Sequence, residues 1–209
     1  MKRLAILGAS GHGKVVADAA GLSGWHEVVF FDDAWPSVSQ NGPWEVVGTC
    51  ADLIGQAGGF DGVIVAIGNN RIRSDRQQEL LAMGFTLVSV IHPSAVISPY
   101  ADVGAGSVVF ANAVVNACAS LGAGCIVNTG AVVEHDCVVG DFSHLSPNSV
   151  LAGGVSAGQH VWVGAGASVK QLIVLGDGVT VGMGGVVVRD VPAGQTVIGV
   201  PARPVHFQE

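Results

Sequence analysis

The hydrophobic residues of this chain follow two different patterns, and the change falls near residue 90. Before that point, short aliphatic runs alternate with stretches whose apolar residues have helical spacing. After it, one aliphatic residue recurs at every sixth position for about a hundred residues. Chance does not hold one register for so long, so we predict two domains, residues 1–88 and 89–209.

The first pattern predicts a small α/β domain. Strands that alternate with helices imply a parallel sheet with crossover helices, as in a Rossmann-like unit. The segment 35–45, WPSVSQNGPWE, is interpreted as a loop or irregular connection because Pro and Gly interrupt it. The predicted strands are 4–10, 27–34, 61–70 and 86–93, and the predicted helices are 13–21, 50–57 and 72–83.

The second pattern predicts a parallel β-helix. Steps of six from Ile91 to Val187 meet Val, Ile or Leu at sixteen of seventeen positions, and a small or β-branched residue follows four places after nearly every one. Both residues are expected to point into a narrow interior, whereas positions two, three and five places after the aliphatic residue point outward. Three such strands close a coil of 18 residues, and coils stack about 4.8 Å apart.

Composition and charge narrow the possible functions. The net charge is −7, only 12% of residues are charged, and no Lys/Arg cluster occurs, which argues against a nucleic-acid or anionic-membrane surface. The apolar runs are far shorter than the roughly 18 residues of a spanning helix, and the N-terminal run is too short for an export signal. The four cysteines form no C-x-x-C pair, so we expect reduced thiols, inward or in the N-terminal domain, in a cytoplasmic protein.

Residues 134–144, EHDCVVGDFSH, concentrate ionisable side chains in a region otherwise poor in charge. The six-residue register places His135, Asp136 and His144 outward. They are either solvated surface residues or a site. A histidine near neutral pKa can accept a proton from an attacking amine or hydroxyl, and a neighbouring carboxylate favours the imidazolium that forms. The sequence therefore offers His135 and Asp136 as a candidate proton-transfer pair.

The spacing of these histidines constrains the site. His135 and His144 are nine residues apart, which is half a coil, so they lie on different sides of the helix and are not partners within one chain. Each could meet its counterpart across a subunit boundary. Trp162 follows His144 by 18 residues, in the same outward column one coil further on. An outward Trp among small residues favours an interface or a ligand contact.

The ordered motifs GASGHGK, FFDD, AIGNN, EHDCVVGDFSH and GVPAR resemble the hexapeptide-repeat sugar O- and N-acetyltransferases of the sialic-acid O-acetyltransferase and pilin-glycosylation type. The resemblance implies a left-handed β-helix, a homotrimer, and acetyl-CoA as cosubstrate without a metal. It also implies acetylation of the 4-amino group of a UDP-2-acetamido-4-amino-2,4,6-trideoxy sugar, which gives UDP-N,N'-diacetylbacillosamine. O-acetylation of a sugar such as sialic acid is the alternative, and a non-catalytic scaffolding trimer is a rival of another class.

The same resemblance implies roles for individual residues. His135 would be the catalytic base, Asp136 would tune its basicity, and His144 would contact acetyl-CoA. The backbone near Ala165 and Met183 would also contact the coenzyme, to which we add Trp162 as a candidate. The GVPAR segment, 199–203, would lie near the coenzyme's nucleotide end.

The glycine-rich segment 8–14 has several possible interpretations. It matches the start of the P-loop pattern, but Val15 replaces the Ser or Thr that holds Mg²⁺, and its glycine order departs from the dinucleotide fingerprint. A purely structural turn remains possible. We favour a site in which the backbone approaches the diphosphate of a nucleotide sugar at a helix N-terminus. The candidate substrate-binding residues at this carboxyl edge of the sheet are Ser10, Gly11, His12, Asp32, Asp33, Gly68 and Asn69.

Overall fold

The structure, a computed structural model, describes residues 1–205 of the 209-residue chain. It contains two compact units, Met1–Pro93 and a second that begins at Ser94. The first is an α/β unit and the second a parallel β-helix, which confirms the predicted fold class. None of the helices within residues 1–205 is long and apolar enough to cross a bilayer.

The first unit is built on a five-stranded sheet in the order β3-β4-β2-β1-β5. The strand β1 lies between β2 and β5 and is parallel to both, as crossover helices require. All four residues of β5 are buried, although β5 is the last of the five strands, and Val63 also forms a parallel bridge with Leu87. The strands are β1 (Arg3–Leu7), β2 (Glu27–Phe31), β3 (Gln40–Asn41), β4 (Trp44–Gly48) and β5 (Gly62–Val65), and the helices are α1 (Gly11–Leu22), α2 (Cys50–Ile54) and α3 (Asn70–Ala82).

Two predictions for this unit were wrong. Residues 35–45 were expected to form a loop or an irregular connection, but β3 and the start of β4 lie there as an antiparallel pair around Gly42. The strand β4 also extends the main sheet as the parallel neighbour of β2, where Val46 pairs with Phe30 and both side chains are buried. The strand expected at 86–93 is reduced to a bridge between Leu87 and Val63 and a two-residue strand, Val90–Ile91.

The β-helix has three faces of short strands stacked in parallel register. From Val96 to Val187, each strand pairs with the strand 18 residues away, as the repeat predicted, whereas Thr196–Ile198 pairs with the strand 16 residues before it. The first face contains Val96–Ile97, Val114–Val115, Val132–Val133, Val150–Leu151, Ser168–Val169 and Val186–Val187; the second contains Asp102–Val103, Ser120–Leu121, Val138–Val139, Ser156–Ala157 and Val174–Leu175; the third contains Val108–Val109, Ile126–Val127, His144–Leu145, Trp162–Val163, Thr180–Val181 and Thr196–Ile198, with Arg203–Pro204 antiparallel to the last.

The interior of the β-helix is filled as the register predicted. Val133 and Val139 alternate with the small Cys137 in one continuous buried core. The large side chain fills the narrow interior and the small one leaves room for it at the corner. Ile91, the first member of the predicted series, is an exception, because it is 39% exposed and lies in the first unit.

Every corner of the β-helix from Gly106 to Gly184 has one residue with positive φ, three places after the inward aliphatic residue. This left-handed conformation costs little for Gly, Asn or Asp. Cys118 occupies one of these places and is exposed, so the expectation that every cysteine of the β-helix points inward was wrong for this residue. The residues at these fourteen places are Gly106, Asn112, Cys118, Gly124, Gly130, Asp136, Phe142, Asn148, Gly154, His160, Gly166, Leu172, Gly178 and Gly184.

Candidate active site and ligand-binding edges

His135 and Asp136 lie together on the corner that joins the first face to the second. Both side chains point outward, with 64% and 67% of their surface exposed, as the register predicted. Asp136 occupies the left-handed position of this corner, with φ of 59°. The backbone of the turn therefore holds the carboxylate beside the preceding ring.

The contact between the two side chains fixes the protonation pattern of the imidazole. His135 Nδ1 lies 2.7 Å from Asp136 Oδ2. An ionised carboxylate only accepts hydrogen bonds, so Nδ1 carries the hydrogen and Nε2 holds the lone pair of the neutral ring. The same hydrogen bond, reinforced by the negative charges of Asp136 and Glu134, raises the pKa of His135. The arrangement suits a general base that acts through Nε2.

The ring of His135 borders a surface cavity of about 290 Å³. Gly153 lies directly beside the ring, and its neighbour Gly154 leaves space that the side chain of Leu172 crosses. Leu172 has φ of 62° and is 76% exposed, so this wall of the cavity is apolar and open to solvent. The lining residues are His135, Asp136, Gly153, Gly154, Gln171 and Leu172.

Not every ionisable residue of 134–144 belongs to this corner. The carboxylate of Asp141 lies on the next corner and accepts a hydrogen bond from the backbone N–H of Ala123, at 2.8 Å, one coil away. Asp177 makes the equivalent contact to Gln159. Asp141 thus belongs to a structural pattern of the repeat, and the polar density of this segment has two separate causes.

His144 and Trp162 form a second cluster, on the third face. They occupy paired positions on neighbouring strands, and their rings stack with centroids 6.0 Å apart and an interplanar angle of 8°. The indole N–H of Trp162 donates to Ser146 Oγ at 2.8 Å, which fixes the orientation of a ring that is 50% exposed. The predicted outward column is confirmed.

Asn128 determines the tautomer of His144. Its Oδ1 accepts from the backbone N–H of Thr129 at 2.8 Å, so its amide nitrogen is the group that faces His144 Nε2, at 3.2 Å. Because the amide nitrogen only donates, Nε2 of the neutral ring is the acceptor and Nδ1 carries the hydrogen. Asn128 was absent from the sequence-based candidates, although it lies 16 residues before His144, at a neighbouring position one coil back.

Ala165 and Met183 share the corner that follows the third face, one coil apart. The carbonyl of Ala165 accepts from the N–H of Gly184 at 2.9 Å, and the side chain of Met183 is 80% exposed. The four predicted coenzyme residues therefore lie on one face and its following corner. His135 lies on a different corner, so the predicted separation within one chain is confirmed.

The GVPAR segment forms the turn between the strands Thr196–Ile198 and Arg203–Pro204. Arg203 and Arg189 both line a cavity of about 170 Å³ near this end of the β-helix. The cavity is thus lined by two cations, and one of them, Arg189, lies outside the GVPAR motif.

In the first unit, the carboxyl edge of the sheet forms a cavity of about 170 Å³ lined by Leu7, Gly8, Asp32, Asp33, Ile67, Ile72 and Arg76. Asp32 accepts hydrogen bonds from the backbone N–H groups of Ala9 and Ala34, at 2.7 and 2.9 Å. It therefore ties the glycine-rich segment to the end of β2. Asp33 accepts from Cys50 N at 3.0 Å and lies 3.6 Å from Arg76.

Arg76 was absent from the sequence-based candidates for this edge. Its guanidinium also contacts Glu79 at 2.7 Å, so it is held at the cavity by two acidic residues. Asn69, which was predicted to bind substrate, caps α3 by accepting from Ile72 N at 3.1 Å. Arg76 follows Asn69 by seven residues, about two helical turns, so both lie on the same side of α3. This spacing could have pointed to Arg76 from the sequence.

The glycines of this edge fall into two groups. A Cβ on Gly8 would lie 2.9 Å from the carbonyl of Ala66, and one on Gly13 would overlap the carbonyl of Gly8, so packing within the chain explains both. Gly11 and Gly68 differ, because a Cβ there would meet no atom within 4 Å. Packing within the described chain would therefore allow a side chain at both positions.

His12 and Arg73 lie beneath the same edge. Arg73 is only 1% exposed, and its guanidinium donates to the carbonyls of Ile67 and Gly68 and to Asn70 Oδ1, at 2.9, 3.2 and 2.9 Å. Burial, with the charge of Arg73 added, lowers the pKa of His12 to about 4. At neutral pH, His12 is an uncharged hydrogen-bonding group and not a cation for phosphate.

These features together define a class of protein. A Rossmann-like unit with an open glycine edge precedes a hexapeptide β-helix that carries an oriented, outward His–Asp pair and no nucleophilic side chain beside it in the cavity. This combination is typical of β-helical acyltransferases that use a histidine base.

Comparisons with known proteins agree with that class. The family model described as the PglD N-terminal domain matches residues 3–80. A UDP-N-acetylbacillosamine N-acetyltransferase of Bacillus subtilis (strain 168) is 37% identical over 115 residues, which is 52% of this chain. The alignment spans about half of that curated relative, 51% of its length.

Solved structures match over almost the whole chain. The acetyltransferase domain of PglB from Neisseria gonorrhoeae FA1090, in complex with acetyl coenzyme A, is 44% identical with a TM-score of 0.94, covering 98% of this chain and 99% of that one. PerB from Caulobacter crescentus, in complex with CoA and GDP-perosamine, is 40% identical with a TM-score of 0.93, covering 99% and 98%. The chain belongs to the hexapeptide-repeat acetyltransferase family that includes these proteins.

Asp136→Asn should lower the pKa of His135, because it removes the carboxylate whose hydrogen bond and charge favour the imidazolium. The measurement is an NMR titration of the His135 ring in the wild-type and variant proteins. Glu134→Gln is the matched control and should move the pKa less, since Glu134 acts only through its charge. Equal shifts in the two variants would show that the hydrogen bond does not dominate.

Proposed function

We propose that this chain is an acetyl-CoA-dependent N-acetyltransferase that acts on the 4-amino group of a nucleotide-linked sugar. The observation that carries the proposal is the His135–Asp136 pair, with Nε2 as the basic nitrogen beside an open cavity. Membership of the acetyltransferase family supports it, as does a relative whose structure contains acetyl coenzyme A. No nucleophilic residue of the chain is needed, because an amine can attack a thioester directly.

The residues act as follows in this proposal. His135 accepts a proton at Nε2 from the amine as its nitrogen attacks the thioester carbonyl. The carbon–sulfur bond breaks, the acetyl group ends on nitrogen, and the leaving thiolate takes up the proton held at His135 Nε2, which returns the ring to its neutral form. Asp136 holds the ring through Nδ1 and stabilises the imidazolium that forms.

We assign the sugar as a UDP-2-acetamido-4-amino-2,4,6-trideoxy sugar, so that the product is UDP-N,N'-diacetylbacillosamine. The similarity to the Bacillus subtilis UDP-N-acetylbacillosamine N-acetyltransferase supports this choice. GDP-perosamine is the second candidate, because the similar PerB structure contains it. The two candidates share a 4-amino group and differ both in the nucleobase and in the substituents of the sugar ring.

The first unit is assigned the nucleotide sugar. Gly11 and Gly68 leave open space that packing within the chain does not require, next to the cavity that contains Asp32, Asp33 and Arg76. Backbone N–H groups at the N-terminus of α1 suit a diphosphate. Neutral His12 is assigned a hydrogen bond to the sugar or phosphate.

The coenzyme is assigned to the third face and its following corner. His144, the half-exposed Trp162, Ala165 and Met183 provide polar and apolar contact surface on that side of the β-helix. Because His135 lies on another corner, a complete site needs two chains, and we infer a homotrimer. Outward valines along the first face, such as Val96 at 62% exposure, offer apolar surface for its contacts.

An assay with a panel of acceptor sugars tests the proposed reaction. Purified protein with acetyl-CoA should release free thiol with the UDP-4-amino sugar, more slowly with GDP-perosamine, and not with sialic acid. His135→Ala should lower kcat about 10²–10⁴-fold, as loss of a general base does, and should leave stability nearly unchanged because the ring is exposed.

Three outcomes would contradict the proposal in different ways. Thiol release with sialic acid would establish O-acetylation, and a preference for GDP-perosamine would replace the sugar assignment. If His135→Ala kept more than about a third of kcat, far from the 10²-fold loss expected for a base, an already neutral amine would be reacting without His135.

Gly11→Ala tests the assignment of the first unit. The added methyl group has open space in the protein, so stability should not fall, whereas KM for the nucleotide sugar should rise and KM for acetyl-CoA should stay constant. Gly13→Ala should instead lower the thermal midpoint, because its Cβ overlaps Gly8. Gly21→Ala, also in open space on α1, should change neither constant. Parallel rises in both KM values for Gly11→Ala would overturn the division of labour.

Subunit complementation tests the shared site. Chains with His135→Ala and chains with His144→Ala are unfolded together, refolded and assayed at low acetyl-CoA. In a trimer with sites between chains, about a quarter of the sites combine an intact His135 with an intact neighbouring His144, so activity should rise well above either variant alone. No recovery, or a monomeric mass of the active wild-type protein in light scattering, would contradict the inference.

A further inference from the structure

Glycine at position 153 is an exception within the repeat. This place lies two residues after the inward aliphatic residue. At all the remaining corners from Ala105 to Met183 it is occupied by a residue with a side chain. The occupants include Ala, Thr, Asp, Pro, Gln and Met. The corner itself therefore accepts side chains of many shapes at this place.

Backbone conformation does not explain the glycine either. Gly154, the next residue, has φ of 69° and holds the left-handed place of this corner, whereas Gly153 is not among the residues with positive φ. Glycine inside regular structure costs conformational entropy relative to alanine. A local reason must therefore offset that cost.

The reason lies in the ring of His135, one coil earlier. A Cβ on Gly153 would lie 2.6 Å from both Cε1 and Nε2 of His135, and 3.3 Å from Cδ2. These distances are below van der Waals contact, so a side chain at 153 and the observed ring position exclude each other. The clash falls on the edge of the ring that carries the basic nitrogen.

We infer that Gly153 is a positioning residue. Because it has no side chain, the His135 imidazole can lie over it, with Nδ1 toward Asp136 and Nε2 open to the cavity. Nδ1 is fixed by the 2.7 Å contact to Asp136, and the flat surface of Gly153 fixes the opposite edge. The ring is thus held between two neighbouring coils. This inference rests on the proposed function only for the consequence in catalysis, since the geometry is independent of the substrate.

The consequence of adding one methyl group follows from the exposure of the ring. His135 is largely exposed, so the ring can rotate toward solvent to relieve the clash, and the backbone of the β-helix need not move. Swinging away separates Nδ1 from Asp136 and removes the contact that raises the pKa of His135. Gly153→Ala should therefore change the titration and the catalysis of His135 without unfolding the β-helix.

The test compares Gly153→Ala with the wild-type protein in three measurements. NMR should show the pKa of His135 falling toward the ordinary value for histidine, and the thermal midpoint should stay the same. The kcat should fall at least 10-fold, with KM for acetyl-CoA nearly constant. The acidic limb of the pH–rate profile should move to lower pH, because the pKa of His135 falls. Gln159→Ala, at the same place in the repeat on another corner, should change none of these.

A double-mutant cycle separates positioning from direct contact with a substrate. In a His135→Ala background, Gly153→Ala should cause no further loss, because the ring through which it acts is absent. An equal loss in both backgrounds, or an unchanged His135 titration in Gly153→Ala, would overturn the inference. If the wild-type protein acetylated no acceptor, the proposed function would fail, and the NMR titration would still decide the role of Gly153.

Discussion

Each corner of the β-helix needs one residue in the left-handed backbone conformation, and much of the rest of the structure depends on this requirement. The chain must turn sharply after only a few residues so that three short strands can enclose a narrow interior. Gly, Asn and Asp adopt that conformation at low cost, and they fill most of the fourteen corners. The six-residue period follows from this geometry.

The candidate catalytic pair makes use of the same requirement. Asp136 suits the turn as a residue that tolerates positive φ, and its carboxylate then lies beside the ring of His135. A structural need and a chemical need are met by one side chain. Asp141, only five residues on, shows the contrast, because its carboxylate serves the backbone of the neighbouring coil and does not face the cavity.

Glycines in this chain fall into four groups according to what surrounds the missing side chain. Gly154 is required by backbone conformation, and Gly13 by close packing of α1 on the sheet. Gly153 is explained by the ring that rests on it, while Gly11 and Gly68 leave space that nothing in the described chain fills. The functional assignments rest on the last two groups, but open space alone does not make a site, because Gly21 on α1 also has no atom within 4 Å of its Cβ position.

The sequence by itself determined the β-helix, its register and the outward direction of His135, Asp136, His144 and Trp162, because a strict period of six leaves one consistent arrangement of core and surface. It also located the glycine edge. It did not predict the strand β4, because Gly42 and Pro43 directly before it are typical of a loop. The pairing of β4 with β2 is seen only in the tertiary structure. Nor did it find Arg73, Arg76, Asn128 or Gly153. Their roles arise from contacts with carbonyls, carboxylates and rings that are brought close only by sheet pairing and coil stacking, and a one-dimensional pattern does not contain those distances.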